Sequence, residues 1–502
     1  MENNRFPIKG NIMVLIITFV FITNIISIYY TTIGIVLAFV EIAILLKFLV
    51  SGNLEKYISC YILFITTSFE VADFVFLDNS SNIYNFLYLP IMNRYHIYIL
   101  ALLPLIMIIK NGRLPVYWSK LHDIKELKKF NNGLLLLICC GLIGGYISYL
   151  FNDNNIQSSF IHFSVFRRDI LSFLLIFLIG FYISYLLVIS PEFYKKLECF
   201  LQSILLAILP SALITIILNL KGNYGNNDVL LMPLVSYFGI SIMIFPLYNQ
   251  YKKQKKLFFW GILLFIIMLS NPSPLGGKWW LLALIIPLIW VIKYLQQMTM
   301  KKLVLIHVFL ILFLVIIFYI VPMVPKDNIF HRENTLSQYK LDQAISLITF
   351  WEEDWFEKLP SSPKFRIDEF INLLYEYFEK PQYLLFGKGF GGSLTKHTHY
   401  LDWNSQDAFS IGEINEGLFF NLHFALNVFF LKFGLIGLVF FIGLIYSILK
   451  HINYNPWLFI GLIWAFFYFN YYISLYFGLC SLLLGFYKKY RDSIKVMQIN
   501  LG

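Results

Sequence analysis

Residues 326–380 read KDNIFHRENTLSQYKLDQAISLITFWEEDWFEKLPSSPKFRIDEFINLLYEYFEK and form the longest polar stretch of the chain. Eighteen of these 55 residues are charged, whereas Asp, Glu, Lys and Arg make up 14% of the whole chain. Unpaired backbone groups and charges are costly in hydrocarbon, so such a segment lies outside a bilayer or lines a water-filled cavity. We expect residues 322–415 to form a large polar loop between apolar regions.

The rest of the chain is strongly apolar. Hydrophobic residues make up 59% of the 502 residues, and the mean hydropathy is +0.70. Repeated apolar runs are long enough to cross about 30 Å of hydrocarbon. Lysines fall in short clusters between these runs, which is typical of cytoplasmic loops, so membrane topology explains the net charge of +10 better than nucleic-acid binding does. The composition therefore predicts an all-α polytopic integral membrane protein.

The apolar runs predict about 12–14 transmembrane helices. The loop at 110–130 carries six Lys and Arg residues, which places it on the cytoplasmic side. Counting spans from that loop places the polar loop on the external side of the membrane. The predicted domains are an N-terminal transmembrane bundle (1–321), the external loop (322–415) and C-terminal transmembrane helices (416–502). The predicted spans lie at about 11–30, 32–50, 57–77, 91–109, 133–151, 169–189, 199–218, 229–248, 257–270, 278–295, 303–322 and 434–450, with a hairpin at 457–487.

Several basic residues break the cytoplasmic pattern, because the predicted topology places them on the external side. Arg binds phosphate oxygens in a bidentate way, so a group of external cations suits a phosphate-bearing ligand. The alternative is that each cation pairs with a neighbouring acid, as Arg366 would with Asp368 and Glu369. The external cations are Arg94, Arg167, Arg168, Lys278, Lys326, Arg332, Lys364 and Arg366.

An ordered set of motifs begins within the loop and continues into the C-terminal region. Arg366 precedes an amphipathic stretch whose spacing predicts a helix that ends at Pro381. A glycine-rich turn comes next, in which glycine permits positive φ and close backbone approach. His423 then stands eleven residues before Gly434, which we expect to open the next span. The predicted apolar face consists of Phe370, Leu373, Leu374, Tyr377 and Phe378, and the turn contains Gly387, Gly389, Gly391 and Gly392.

This order of motifs resembles the O-antigen polymerase and O-antigen ligase superfamily of bacterial membrane glycosyltransferases. The resemblance implies a fold of the GT-C type in the bacterial inner membrane. It also implies transfer of a sugar chain from undecaprenyl diphosphate on the external side, with no nucleotide sugar, metal or other cofactor. By the same resemblance, Arg366 binds the donor diphosphate and His423 is the histidine of the family's His-Asn pair. Phe424 stands where the Asn is common, and Lys278 stands where a second arginine is expected.

The same residues suit glycosyl transfer on chemical grounds. An acceptor hydroxyl must lose its proton as it attacks an anomeric carbon, and a neutral His or a carboxylate can take that proton. His423 is the first candidate base, with Glu413 and Glu416 as alternatives. Fixed cations offset the charge that grows on a leaving diphosphate. The candidate diphosphate ligands are Arg366, Lys278, Arg167 and Arg168. The structural alternatives are a buried histidine at 423 and carboxylates that solvate a helix start.

Two further groups carry weaker hypotheses. His397 and His399 form a His-Thr-His step, but no third ligand stands at a metal-site spacing, so no metal is predicted. Glu70 and Asp73 lie about one helical turn apart in an apolar run, where acids are costly. These two acids either face a cavity or sit close to the outer end of their span.

Three functions remain open. The favoured one is a polymerase of lipid-linked repeat units, for O-antigen, capsule or exopolysaccharide. The second is a ligase that moves the finished glycan onto lipid A core or another acceptor. The third is a flippase or other transporter, which would need no general base. The expected partners are an undecaprenyl-diphosphate-linked oligosaccharide, a glycan acceptor and the lipid bilayer; a chain-length regulator is left open, and nucleic acid is not expected.

Overall fold

The computed structural model describes the chain in segments. It describes residues 8–68, 85–87, 89, 95–151, 156–190, 192–219, 355–359, 361–398, 401, 403, 409, 411–452, 455–467 and 472–501. These residues are mostly helical and form no strand; Leu394 and Phe419 pair in an isolated antiparallel bridge. The structure is thus consistent with the predicted all-α membrane protein.

Fifteen helices lie in the described segments, and we number them in chain order. They are α1 (Ile8–Tyr29), α2 (Thr31–Val50), α3 (Leu54–Thr67), α4 (Tyr95–Lys110), α5 (Leu114–Leu121), α6 (Lys125–Phe151), α7 (Ile156–Ile189), α8 (Phe193–Asn219), α9 (Trp355–Lys358), α10 (Ser361–Glu379), α11 (Tyr383–Phe386), α12 (Ile411–Glu416), α13 (Ala425–His451), α14 (Pro456–Phe467) and α15 (Tyr472–Leu501).

Four of the described helices are long and apolar enough to cross a membrane. They are α2, α6, α7 and α13, and the bent pair α4 and α5 makes a fifth if it forms one span. This supports the predicted membrane class in a coarse form. The predicted total of about 12–14 spans stays a prediction, since the predicted spans between 229 and 322 lie outside the described residues.

The loop predicted at 110–130 is not a continuous loop. It contains the helix α5, which is inclined by 95° to α4, and α6 already begins at Lys125. Pro115 lies in the first turn of α5, where its missing N–H breaks no helical hydrogen bond. The charge pattern marked this region as polar, but polar residues are equally compatible with a short helix on the membrane surface.

The chain divides into two compact units. One unit comprises residues 1–220 and 366–502, and the other comprises residues 221–365. The second unit is described only over 355–359 and 361–365. All contacts discussed below lie within the first unit. The predicted domain boundaries at 321/322 and 415/416 stay predictions.

Aromatic side chains fill the space where α7 and α13 meet the glycine-rich turn. Phe173 of α7, Phe390 of the turn and Phe433 of α13 are all buried. Their ring centroids lie 5.4 Å (Phe173–Phe390), 5.0 Å (Phe173–Phe433) and 5.9 Å (Phe390–Phe433) apart. Aromatic pairs in this distance range contribute about 0.5–1.5 kcal/mol each beyond their buried area. This cluster packs the turn against α7 and α13.

Candidate active site

The glycine-rich turn is wedged between α6 and α13. Of the four glycines in the predicted turn, Gly387 and Gly389 have φ +70° and Gly391 has φ +81°, whereas Gly392 has no positive φ. A Cβ added to Gly389 would lie 1.8 Å from the backbone N of Gly145 in α6. A Cβ added to Gly387 would lie 2.6 Å from the backbone N of Gly434 in α13. Only glycine allows three backbone segments to approach this closely.

Gly434 breaks α13, and the turn occupies the break. Its φ of 57° and ψ of −145° are not helical. The carbonyls before it are nevertheless hydrogen-bonded: Leu431 O accepts from Lys388 N at 2.8 Å, and Lys432 O accepts from Gly389 N at 3.1 Å. The Tyr377 hydroxyl donates to Phe430 O at 2.7 Å. Backbone groups in a membrane helix need internal partners, and the turn supplies them here.

The prediction that Gly434 opens the span stays a prediction, because Gly434 stands at the kink where two helical segments of α13 meet. α13 begins at Ala425, and Gly434 lies inside it. Apolar periodicity cannot distinguish a helix start from a break within a helix, because the residues on both sides of Gly434 are apolar.

α10 buries its polar face. The predicted helix is confirmed, and it ends at Glu379, shortly before Pro381. Among the residues predicted on its apolar face, Leu373 and Tyr377 are buried, but Phe378 is 82% exposed. The described buried residues on this helix form one stripe: Asp368, Glu369, Asn372, Leu373, Glu376 and Tyr377. Three carboxylates thus point inward, and each must be satisfied by the residues packed around it.

The carboxylate of Glu369 is hydrogen-bonded to the segment that carries His423. Its Oε1 lies 2.5 Å from His423 Nδ1 and accepts the His423 backbone N–H at 3.1 Å. Its Oε2 accepts from Asn427 Nδ2 at 2.9 Å. The same Asn427 nitrogen donates to Arg366 O at 2.8 Å. Glu369, His423, Asn427 and the Arg366 backbone therefore form one connected group.

This arrangement decides which imidazole nitrogen can act as a base. The Glu369 carboxylate accepts the His423 backbone N–H and an N–H of Asn427, so it acts as a hydrogen-bond acceptor. Nδ1 of His423, which contacts the same carboxylate, is therefore the ring nitrogen that carries the hydrogen. The lone pair of the neutral ring is then on Nε2. Glu369 is fully buried, whereas the His423 side chain is 32% exposed. The His423 ring is thus oriented by a buried carboxylate, and its side chain is partly exposed.

The acids next to Arg366 have other partners. Asp368 accepts from Thr398 Oγ1 at 2.6 Å and from Trp403 Nε1 at 2.7 Å, while Glu369 binds His423 and Asn427. Both carboxylates are therefore held by the segments that pack on α10, and the pairing of Arg366 with a neighbouring acid stays an alternative. Arg366 lies one helical turn before Glu369, in the part of α10 that contacts Asn427 and the segment around His423.

Arg168 lies next to the same loop from another helix. Its guanidinium is 4.9 Å from the ring centre of Phe420, three residues before His423. It also lies 3.7 Å from Asp169 Oδ1 and is 34% exposed. Arg167, by contrast, lies 5.5 Å from the ring of Tyr95 in α4. The structure therefore places the Arg168 guanidinium against the loop that leads to His423 and the Arg366 backbone against Asn427, whereas the Arg167 guanidinium lies against Tyr95 of α4.

Two buried ion pairs connect this region to the helices. Lys432 Nζ lies 2.5 Å from Asp169 Oδ2, which also accepts from Gly391 N at 3.0 Å. Lys388 Nζ pairs with Glu376 and donates to Ser393 O at 2.6 Å. Burial lowers the pKa of Lys388, and the carboxylate of Glu376 offsets part of that effect. Burial also raises the pKa of the neighbouring Tyr377. Desolvation offsets much of the Coulombic gain of such pairs, but removing one partner is destabilising because the other charge stays buried.

The predicted carboxylate bases have different surroundings. Glu413 is buried, and its Oε1 accepts the backbone N–H groups of Phe420 and Asn421, both at 2.9 Å. It therefore shapes the loop that leads to His423. Glu416 is exposed at the end of α12. Neither geometry favours a base over His423.

Several predicted residues fall outside the described part of the chain. His397 is described, and its Nε2 lies 2.9 Å from Thr395 Oγ1. Within the described segments, no group of three or more His, Cys, Asp and Glu side chains could hold a metal ion. The candidates outside those segments are Lys278, Glu70, Asp73, Arg94, Lys326, Arg332 and His399.

Sequence reasoning missed Glu369, Asn427, Asp169 and Lys432 as parts of this region. Asp169 and Lys432 carried a usable signal, because each is a charge inside an apolar helix and such residues usually have a partner. Asn427 follows His423 by about one helical turn, which a search for adjacent His and Asn residues does not find. Glu369 was considered only as a partner for Arg366.

No family model matches the chain, and no curated protein or solved structure matches it either.

Proposed function

We propose that this protein is a membrane glycosyltransferase that polymerises lipid-linked oligosaccharide repeat units. The observation that carries the proposal is the hydrogen bond between buried Glu369 and partly exposed His423. A carboxylate that orients an imidazole is the arrangement expected of a general base. A transporter that moves no protons needs no general base.

In the proposed reaction, His423 Nε2 takes the proton of an acceptor sugar hydroxyl as that oxygen attacks the anomeric carbon of the donor. A new glycosidic C–O bond forms, and the bond between the anomeric carbon and the phosphate oxygen breaks. Undecaprenyl diphosphate leaves with the bonding electrons. Glu369 stabilises the imidazolium that forms, because its negative charge lies against Nδ1.

The departing diphosphate requires positive charge at a fixed position. Arg366 and Arg168 supply it in the proposal, because each lies beside a segment that contacts the His423 loop. Guanidinium groups suit a diphosphate, since they offer paired donors in one plane. Lys278 and Arg167 stay as further candidates from the sequence. A metal ion is not needed for this division of roles.

The finer architecture belongs to the same proposal. We place the chain in the bacterial inner membrane, with a fold of the GT-C type and the 322–415 loop on the external side. Lipid-linked repeat units are available on that side for assembly without nucleotide sugars. The apolar helices of the described segments support the membrane location.

The test is an assay with purified protein in liposomes and one labelled undecaprenyl-diphosphate-linked repeat unit, with a chelator present. A ladder of products on a gel is the expected result. If products form only after lipid A core or another acceptor is added, the protein is a ligase. If neither condition gives glycosyl transfer while the labelled lipid crosses the bilayer, the transporter alternative replaces the proposal.

A further inference from the structure

The C-terminal part of α10 has an inverted distribution of polar and apolar residues. Its inward stripe carries carboxylates, including Glu376 in its ion pair with Lys388. Its outward side carries Tyr375, which is 50% exposed, and Phe378, which is 82% exposed. A helix that meets water outside the bilayer shows the opposite distribution. Apolar side chains directed away from a polar interior are typical of a helix that meets lipid.

The residues after α10 extend the same apolar surface. Leu384 and Leu385 are exposed, and they are separated from Phe378 by the exposed polar residues around Lys380. This surface combines exposed apolar side chains with an adjacent polar group that contains Glu379 and Lys380. That combination fits the boundary between acyl chains and headgroups, where a Lys side chain reaches the polar layer.

This surface is continuous with the apolar outer faces of two candidate spans. The Leu384 carbonyl and the Leu385 backbone lie 2.6 and 2.7 Å from the position of a Cβ on Gly434, and the next residue, Leu435, is exposed. On the other side, the Phe386 carbonyl lies 2.9 Å from the position of a Cβ on Gly144 of α6. The described outward residues near these points are Ile143 and Tyr146 on α6 and Leu435 and Val439 on α13.

We propose that Tyr375, Phe378, Leu384 and Leu385 insert into the lipid layer, so that α10 is anchored at the membrane–water interface by its C-terminal end. The occupant of this surface is lipid, because the patch continues the faces with which α6 and α13 would meet acyl chains. The inference does not rest on the proposed reaction.

The anchor would set the distance between the candidate site and the lipid layer. Glu369 and Phe378 are nine residues apart in one helix, which corresponds to about 14 Å along the helix axis. The Glu369–His423 pair therefore lies within that distance of the lipid-contacting end. A reaction at this height would reach groups held just above the acyl chains, such as a lipid-linked phosphate.

Spin-label accessibility in liposomes tests the anchor without any substrate. The five native cysteines are first replaced, and single labels are placed with Phe378→Cys and Leu385→Cys. Val439→Cys on α13 is the lipid reference, and exposed Lys396→Cys is the water reference. Power saturation then compares collisions with oxygen, which concentrates in lipid, and with a water-soluble nickel complex.

The expected result is that labels at 378 and 385 favour oxygen as the label at 439 does, while the label at 396 favours nickel. Preference for nickel at 378 and 385 would place the patch in water and overturn the inference. Shielding from both reagents would overturn it as well, because a protein surface would then cover the patch. Because no substrate is present, neither result predicts the outcome of the glycosyl-transfer assay.

Discussion

Glu369 Oε1 lies 2.5 Å from His423 Nδ1, although 54 residues separate the two in sequence. The carboxylate is fully buried at the start of the stripe on α10, and the imidazole is held just before α13 begins. The pair therefore joins the polar loop to a candidate membrane span at the point where a base is proposed.

Replacing Glu369 is expected to lower turnover more than substrate affinity. Glu369→Gln keeps the size of the side chain but allows the His423 ring to adopt the other tautomer. We expect kcat to fall by about 100-fold with KM little changed, as is typical for loss of acid–base positioning. The measurement is initial-rate kinetics in liposomes. Glu379→Gln is the matched control, since Glu379 is an exposed acid on the same helix; an equal loss in this control would remove the special role of Glu369.

Arg366 is expected to act through bidentate binding of the diphosphate. Arg366→Ala should raise KM for the lipid-linked donor by at least about tenfold, and Arg366→Lys should restore only part of that loss, because lysine keeps the charge without the paired donors. Donor titrations of both variants measure this. A lysine variant equal to the native protein would indicate a point charge rather than a bidentate contact.

Gly389 is expected to tolerate no side chain. Gly389→Ala would place a Cβ 1.8 Å from Gly145 N at a positive φ, so the turn must leave its place between α6 and α13. We expect strain and overpacking to lower the free energy of unfolding by about 3 kcal/mol or more. The apparent Tm of detergent-purified protein measures it. Gly412→Ala is the control, since nothing lies within 4 Å of a Cβ there; equal Tm losses in the two variants would contradict the wedged turn.

Replacing one partner of the buried Asp169–Lys432 pair is expected to destabilise the protein. Lys432→Met removes the buried cation of Asp169 and leaves it only the partly exposed Arg168, 3.7 Å from Oδ1, whereas Asp169→Asn removes the carboxylate that pairs with Lys432. Each change should lower the free energy of unfolding by about 3–5 kcal/mol, with the smaller loss for Lys432→Met. The double variant should be more stable than either single variant, because no buried charge of the pair is left without its partner. Apparent Tm values of the four proteins test this, and additive losses would show that the two residues do not depend on each other.

Local features of the sequence were sufficient for part of this structure. The α1–α2 hairpin, α10 with its end before Pro381 and the positive φ of Gly387, Gly389 and Gly391 each follow from residues that are close in sequence. Helix periodicity and glycine conformation are local properties, so they can be predicted in this way.

The contacts that build the site are not local. Lys432 and Asp169 are 263 residues apart, and only the fold determines that one neutralises the other. The same holds for the turn that fills the break at Gly434. The polar stripe of α10 was also missed, because hydrophobic periodicity assigns carboxylates to solvent unless a buried partner is known.

The measurement to make first is a double-mutant cycle of transfer rates for the native protein, Glu369→Gln, His423→Gln and the double variant. We predict that His423→Gln lowers kcat by about 100- to 10,000-fold and that adding Glu369→Gln to it lowers the rate little further, since the main role proposed for Glu369 is to orient His423. Transfer at a near-native rate by His423→Gln, or losses that multiply in the double variant, would contradict an oriented histidine base.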